Sequence, residues 1–208
     1  MKQVEQIADR ILKMRSEVPV KRSLLAGISG IDASGKGYVA ARIRDELDRR
    51  SKRTALFNAD GWLNLPDVRF GGDDPGNHFY NHALRLDEMF ERLIVPLKRN
   101  RSIRLNADLV EETADRYHQF EYWFDDIDII LLEGIFLFKK QYIEHFDFKI
   151  WIECSFETAL HRAIERSQEG LGPEQTADAF ETIYFPAQKI HFDIDTPLAW
   201  TDVIIDNN

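Results

Sequence analysis

Short, nearly continuous apolar runs alternate along the chain with longer segments that carry charges at helical spacing. The apolar runs are rich in Leu, Ile and Val and occupy Ser23–Ser29, Thr54–Asp60, Ile127–Gly134, Phe148–Cys154 and Asp202–Asp206. Such runs are typical of strands that are covered on both faces, so they predict a parallel sheet. Helical patterns such as Tyr38–Arg53 and Phe156–Arg166 lie between them, and this alternation predicts an α/β fold.

The N-terminal segment predicts an amphipathic helix. Val4, Ile7, Ile11 and Met14 recur at spacings of three and four, which places them on one helical face. Charged residues interrupt the segment throughout, so it lacks the apolar core of a signal peptide. No run in the chain reaches the roughly 18 apolar residues of a membrane span. We therefore expect a helix within residues 1–20 that lies on the domain, and no contact with a membrane.

Length and charge narrow the class of protein. The 208 residues correspond to one domain at about 150 residues each, and we expect a single domain over residues 1–208. There are 36 acidic and 27 basic side chains, giving a net charge of −9, which argues against binding to nucleic acid. Cys154 is the one cysteine, so no internal disulfide forms, and we expect a cytoplasmic protein with this thiol packed as a small apolar group.

Two segments interrupt the alternating pattern. Asn64–Asn77 is dense in Gly, Pro, Asn and Asp, which predicts a long loop, and loops of that length in compact domains are often functional. Gln168–Gln175 contains Gly and Pro between two helical patterns and predicts either a hinge or a simple turn.

The clearest motif lies between the first predicted strand and the helix that follows it. From Gly30 to Lys36 the sequence reads G-I-D-A-S-G-K, which is the G-x4-G-K pattern of a phosphate-binding loop. Glycines let backbone N–H groups turn towards phosphate oxygens, the helix N-terminus adds its positive end, and the lysine reaches the β- and γ-phosphates. The predicted nucleotide-binding residues are Gly30, Ile31, Asp32, Ala33, Ser34, Gly35, Lys36, Gly37 and Tyr38.

Gly37 departs from the usual motif, in which a Ser or Thr hydroxyl follows the lysine and binds Mg²⁺. One metal ligand therefore has to come from another residue or from water. Nucleotide binding tolerates this loss better than catalysis does, so a nucleotide-binding protein without phosphoryl transfer is an alternative interpretation.

Two carboxylates follow predicted strands at the edge where α/β sheets bind their ligands. Asp60 ends the second apolar run and Glu133 ends the third. Beside a phosphate loop, such groups hold Mg²⁺ or take a proton from an acceptor hydroxyl. The alternatives are a helix cap or turn for Asp60 and a buried ion pair for Glu133.

The order of these parts resembles the uridine kinase and phosphoribulokinase family over almost the whole chain. The matching segments are Gly30–Lys36, Asp60, Phe79–Tyr80, Glu133–Ile135 and Asp202–Asp206. The resemblance implies a P-loop NTPase fold with about five parallel strands, helices on both faces and a small lid at residues 162–175. It also implies ATP and Mg²⁺ as cofactors.

The same resemblance implies roles for individual residues. Asp60 would act on the acceptor hydroxyl, Asp60 and Glu133 would hold Mg²⁺, Lys36 would bind the phosphates, and Arg162 and Arg166 would reach the transferred phosphate from the lid helix. A surface pairing of those arginines with Glu165 and Glu169 is the alternative.

The acceptor is less well defined. Trp62, Arg69, Phe79 and Tyr80 are candidate acceptor-binding residues near the long loop, although core packing of the aromatic rings is an equal alternative. The pyrimidine-reading Tyr and His of the family have no clear counterpart in residues 105–123. We therefore expect a small hydroxyl-bearing, nucleoside-like acceptor, with a sugar phosphate or a pantothenate-like alcohol as alternatives.

The densest aromatic cluster is Phe120–Phe124, which has acidic rather than basic neighbours. That composition argues against stacking on nucleic-acid bases. We expect the cluster to serve core packing or contact between copies in a homo-oligomer.

Overall fold

The computed structural model describes residues 2–166 and 170–208. Its strands are β1 (Leu24–Gly30), β2 (Thr54–Asn58), β3 (Ile103–Leu109), β4 (His118–Phe124), β5 (Ile129–Gly134), β6 (Phe148–Glu153) and β7 (Val203–Asp206). Its α-helices are α1 (Lys2–Glu17), α2 (Lys36–Arg49), α3 (Pro66–Arg69), α4 (Pro75–His82), α5 (Leu86–Met89), α6 (Val95–Asn100), α7 (Phe156–Arg166), α8 (Pro173–Ala179) and α9 (Phe185–Asp195). Two π-helical turns, Phe90–Ile94 and Phe180–Tyr184, join α5 to α6 and α8 to α9.

A five-stranded parallel sheet in the order β2-β5-β1-β6-β7 forms the centre of the molecule. Each of its strands lies within, or one residue beyond, an apolar run that predicts a strand. The predicted parallel α/β fold is therefore confirmed. The order places β1 between β5 and β6, so the segment after β1 lies beside the segments that follow its two neighbours.

Helices cover both faces of this sheet, because alternate residues of each central strand point to opposite sides. Leu24, Ala26 and Ile28 of β1 pack with α1 and α2, whereas Leu25 packs with the second layer of helices. In α1, Ile7 and Ile11 are buried on the face that the sequence pattern selects. No described helix is long and apolar enough to cross a membrane.

One prediction about an irregular segment is wrong, and one pair of strands was not predicted. The expected loop Asn64–Asn77 contains α3 and the start of α4, because Pro75 occupies the first turn of α4 and Asp74 caps it by accepting a hydrogen bond from the Asn77 N–H at 3.0 Å. The aromatic cluster Phe120–Phe124 is itself part of a strand, β4, which forms an antiparallel hairpin with β3. Neither strand of the hairpin was predicted.

Successive residues of β4 point to opposite faces of the hairpin, which explains why neighbouring aromatic residues of the cluster differ in burial. Tyr122 faces inward and stacks on Trp62, with ring centroids 6.4 Å apart, whereas Trp123 is 71% exposed. The packing interpretation therefore holds for Tyr122. The expected homo-oligomer stays a prediction.

Candidate active site

The segment between β1 and α2 forms a loop around a cavity of about 390 Å³. Ala33 and Gly35 adopt left-handed backbone conformations, with φ of 54° and 89°, and α2 begins at Lys36 with no acidic residue in its first turn. The unpaired N–H groups of that turn favour an anion. Six of the nine predicted nucleotide-binding residues line the cavity: Asp32, Ala33, Gly35, Lys36, Gly37 and Tyr38. Gly30, Ile31 and Ser34 do not line it.

Two hydrogen bonds hold the loop, one from Lys36 at its end and one from Asn207 at the far end of the chain. Lys36 Nζ donates a hydrogen bond to the Ile31 carbonyl at 2.9 Å, and the lysine is 9% exposed. Asn207, just after β7, donates from Nδ2 to the Ser34 carbonyl at 2.7 Å. A Cβ at Gly35 would lie 2.5 Å from that same Nδ2, so glycine is required there both for its positive φ and for the close approach of Asn207.

Glu133 ends β5 beside the loop cavity. Its backbone is in register with Ile28 of β1 and Asn58 of β2, and its side chain is 6% exposed. Burial raises the pKa of this carboxyl to about 7; Lys36 opposes the rise and Asp60 adds to it. The described residues place no ion pair within 4 Å of Glu133, so the expected alternative of a buried ion pair does not apply.

Asp60 does not end β2 as predicted. The strand stops at Asn58, and Asp60 lies in a short 3₁₀ helix, Ala59–Trp62, whose start is capped when Asn58 Oδ1 accepts from the Asp60 N–H at 2.7 Å. The exposed carboxylate of Asp60 lines the loop cavity and also a second cavity.

The two carboxylates fit a magnesium ion. Glu133 is buried without a neutralising ion pair in the described chain, and such a charge favours a nearby cation. A Cβ at Gly37 would lie 3.5 Å from Glu133 Oε1, so the position of the missing hydroxyl adjoins this carboxylate. The described residues include no group of three His, Cys, Asp or Glu side chains arranged for a metal. Mg²⁺ commonly takes one or two carboxylates and completes its shell with phosphates and water.

A second cavity of about 470 Å³ adjoins the first. Asp32, Asp60, Glu112 and Ile135 line both cavities, and the walls of the second are largely apolar. It meets the size and the apolar character with few polar groups that are typical of small-molecule sites. The geometry thus joins an anion-binding loop to a pocket for a second ligand.

Two of the four candidate acceptor-binding residues line this second cavity. Phe79 stacks on Phe70 with ring centroids 5.7 Å apart. Arg69 is 3% exposed, donates from Nη2 to the Glu112 carbonyl, and has no hydrogen-bond partner for Nε among the described residues.

The other two are placed in the core. Trp62 is fully buried, and its Nε1 donates to the Tyr122 hydroxyl at 3.3 Å. The Tyr80 hydroxyl donates to Asp195 at 2.5 Å, and burial raises its pKa. Neither residue lines either of the two described cavities, because each ring packs into the hydrophobic core and its polar atom has a partner there.

Arg162 and Arg166 of α7 are separated by the fold. Arg166 lines the loop cavity and its Nη2 lies 3.4 Å from the Ala33 carbonyl. Arg162 lines neither cavity, because its Nη1 donates to the Asn207 carbonyl at 2.8 Å and lies 3.4 Å from Cys154 Sγ. Glu165 lies 3.6 Å from His161 rather than in an ion pair with either arginine.

The remainder of the predicted lid is described in part. Residues 167–169 lie outside the described residues, so the alternative pairing with Glu169 and part of the lid expected over residues 162–175 lie outside them as well. Beyond them, Thr176 and Phe180 line the loop cavity.

Cys154 is buried, as predicted, and burial raises the pKa of its thiol. A thiol of raised pKa is a poor nucleophile, which agrees with a packing role.

Sequence reasoning missed Gln188 and Asn207. Gln188 on α9 is fully buried and donates from Nε2 to Asp32 Oδ2 at 2.8 Å. Neither residue belongs to a motif, and contacts across 156 and 173 positions of the chain leave no local pattern in a single sequence.

The parallel sheet carries a phosphate loop after its central strand β1, with Glu133 at the end of β5 and Asp60 two residues beyond β2. This arrangement is that of a P-loop kinase. The profile of the "Phosphoribulokinase / Uridine kinase family" matches residues 25–207, and the chain belongs to that family. The protein is accordingly an ATP-dependent kinase of a small substrate.

Individual relatives are distant. A uridine kinase of Lactococcus lactis subsp. cremoris is 26% identical over 191 residues, covering 89% of each protein. Uridine-cytidine kinase B of Dictyostelium discoideum is 25% identical and covers 88% of this chain and 78% of its own. The solved structure of "a Possible Uridine Kinase from Bacillus stearothermophilus" has a TM-score of 0.72 at 20% identity, covering 97% of this chain and all of that one, a similarity of fold.

Proposed function

We propose that this kinase transfers the γ-phosphoryl group of ATP to a hydroxyl of a small, nucleoside-like acceptor. The observation that carries the proposal is the position of Asp60, which lines the phosphate-loop cavity and the adjoining cavity together. The carboxylate of Asp60 thus lies where a donor phosphate and an acceptor hydroxyl would meet.

Different residues around the two cavities have different roles in the transfer. The loop N–H groups and Lys36 bind the β- and γ-phosphates, and Arg166 neutralises charge on the group in transfer. Asp60 takes the proton of the acceptor hydroxyl while the acceptor oxygen bonds to the γ-phosphorus and the bond from that phosphorus to the β–γ bridging oxygen breaks. Asp60 and Glu133 would hold Mg²⁺, which supplies further charge neutralisation.

The second cavity supports a compact organic acceptor. Phe79 supplies an aromatic wall, and Arg69 and Asp60 supply polar groups at separate positions on its surface. The named relatives are uridine and uridine-cytidine kinases, which favours a nucleoside over the alternatives of a sugar phosphate or a pantothenate-like alcohol.

The test is Asp60→Asn, which keeps the shape of the side chain and removes the base. Turnover of uridine, or of the best acceptor in a panel of nucleosides and small alcohols, should fall by about 10²–10⁴-fold. ATP affinity, measured by calorimetry, should change little, because Lys36 and the loop backbone hold the phosphates.

Asp67→Asn is the matched control, since Asp67 is an exposed carboxylate on α3 that lines neither described cavity. Full turnover in Asp60→Asn would remove Asp60 from the mechanism. Absence of turnover with every acceptor in the wild type would overturn the proposed function.

A further inference from the structure

Asp32 occupies the wall between the two cavities, a position that the phosphate-loop motif does not explain. Asp32 lines both cavities, as does Asp60. The loop binds phosphate through backbone N–H groups and Lys36, and a carboxylate at its third position repels an anion. The side chain of Asp32 is therefore poorly suited to contact the phosphates of ATP.

Asp32 is instead held by a residue of α9, 156 positions away in the sequence. Gln188 of α9 is fully buried and donates from Nε2 to Asp32 Oδ2 at 2.8 Å, while its own Oε1 has no hydrogen-bond partner among the described residues. Burying an amide that is only half satisfied is costly. The hydrogen bond from Gln188 to Asp32 gives a reason for this costly burial, because it fixes the position of the Asp32 carboxylate.

The chemistry of this carboxylate restricts what it can bind. Burial raises the pKa of Asp32, and the nearby charge of Asp60 adds to the rise, while Lys36 and the hydrogen bond from Gln188 oppose it. A second carboxylate close to Asp60 offers hydrogen-bond acceptors to a ligand that already presents one hydroxyl to Asp60. A neutral hydroxyl meets both carboxylates without bringing further negative charge.

We infer that Asp32, positioned by Gln188, is a specificity residue that accepts a hydrogen bond from a second hydroxyl of the acceptor. The acceptor class is then a neutral polyol with two hydroxyls close together, one for transfer and one for recognition. The inference rests on the proposed function and goes beyond it, since that function requires only one hydroxyl.

A role for Asp32 as a metal ligand is the main competing explanation. The described residues do not bring Asp32, Asp60 and Glu133 together as a three-carboxylate metal group, and Gln188 already occupies one Asp32 oxygen. The test separates the two roles through the concentration of Mg²⁺ at half-maximal rate.

The experiment compares acceptors that differ by one hydroxyl, namely uridine with its 2′- and 3′-deoxy counterparts and D-ribose with 2-deoxy-D-ribose. A hydrogen bond to a charged group corresponds to a preference of about 10- to 10²-fold in kcat/KM for the hydroxylated member of at least one pair. In Asp32→Asn this preference should fall to within about threefold, with ATP affinity not weakened. Gln188→Met, which cannot donate, should reduce the same preference partway through KM while kcat is kept.

Asp67→Asn again serves as the control and should keep the wild-type preference. If Asp32→Asn does not fold, as judged by its thermal midpoint, Asp32→Ser provides the same comparison. An unchanged preference in the Asp32 variant overturns the inference. So does weakened ATP affinity, or a shifted Mg²⁺ requirement, with the preference intact.

Failure of the proposed function is distinguishable from these outcomes. A wild type that phosphorylates none of the probes overturns the function and the inference together. A wild type that phosphorylates both members of every pair equally overturns the inference alone.

Discussion

At the scale of single residues, the burial of Glu133 has a consequence for stability. Its pKa is raised to about 7, chiefly by burial, so the folded protein favours the protonated acid. Its stabilising contribution is fully present below the unfolded pKa of about 4.3 and is lost as the pH rises through about 7. The ionised group therefore costs the ligand-free protein roughly 3 kcal/mol at alkaline pH.

Glu133→Gln removes that cost. The free energy of unfolding from urea titrations should match that of the wild type near pH 4.5 and exceed it by about 2–3 kcal/mol near pH 8, without Mg²⁺. A variant less stable than the wild type at pH 8 would mean that the carboxylate is compensated within the fold. Turnover should drop in the same variant, since a proposed metal ligand is lost.

Gly37 provides a second test at this scale. A Cβ there would meet Glu133 Oε1 at 3.5 Å, an ordinary contact, so Gly37→Ser should fold normally and add a hydroxyl beside the proposed metal site. The concentration of Mg²⁺ that gives half-maximal ATP turnover should fall, with Gly37→Ala as the control for the added Cβ. An unchanged requirement would mean that carboxylates and water already complete the metal shell.

At the scale of elements, α7 carries two arginines for which the sequence predicts the same role, but it places them in different environments. Residues four apart share a helix face but are displaced by about 6 Å along the axis. That displacement leaves Arg166 at the loop cavity and places Arg162 at the carbonyl of Asn207. The spacing of the two arginines predicts that they share a helix face, but it does not predict which of them reaches the loop cavity.

This division is testable with a matched pair of variants. Arg166→Leu should lower kcat by about 10²-fold or more, because a cation at the transferred phosphate is lost. Arg162→Leu should instead weaken ATP affinity and lower the thermal midpoint while kcat at saturating ATP is kept, because it loosens Asn207 and through it the loop. A large loss of kcat with normal ATP affinity in Arg162→Leu would restore its predicted catalytic role.

The elements also show where sequence patterns are informative. The five parallel strands were predictable because burial on both faces makes them continuously apolar. In β3 the strict alternation of apolar and polar residues is itself the pattern of a strand with one exposed face, so it is a signal that continuous apolar runs do not include. The signal of β4 is weaker, because four positions at its start are exposed. The aromatic residues Trp62 and Phe79 suit a core and a pocket wall equally, and only the fold separates them.

At the scale of the whole molecule, binding at the loop should appear as global stability. A ligand at 100 times its Kd raises the free energy of unfolding by about 2.7 kcal/mol, which corresponds to a rise in Tm of roughly 5–10 °C for a chain of this size. Mg²⁺-ATP should raise the Tm of the wild type in this way. Lys36→Ala should lose most of the shift because it removes the cation at the phosphates.

Lys13→Ala is the control, since Lys13 is an exposed lysine of α1 that lines neither of the two described cavities. Scanning calorimetry with and without Mg²⁺-ATP gives both quantities. An equal shift in Lys36→Ala and the wild type would contradict the phosphate-loop assignment.

The hydrogen bond from Asn207 to Ser34 has a consequence for synthesis on the ribosome. Its partners are 173 positions apart. At a synthesis rate of about 5–20 residues per second, Asn207 is added roughly 10–30 s after the loop that it holds. Until then the phosphate loop of the nascent chain lacks the hydrogen bond from Asn207. We therefore expect the loop to reach its final nucleotide-binding conformation only after β7 has docked, when almost all of the chain has been made.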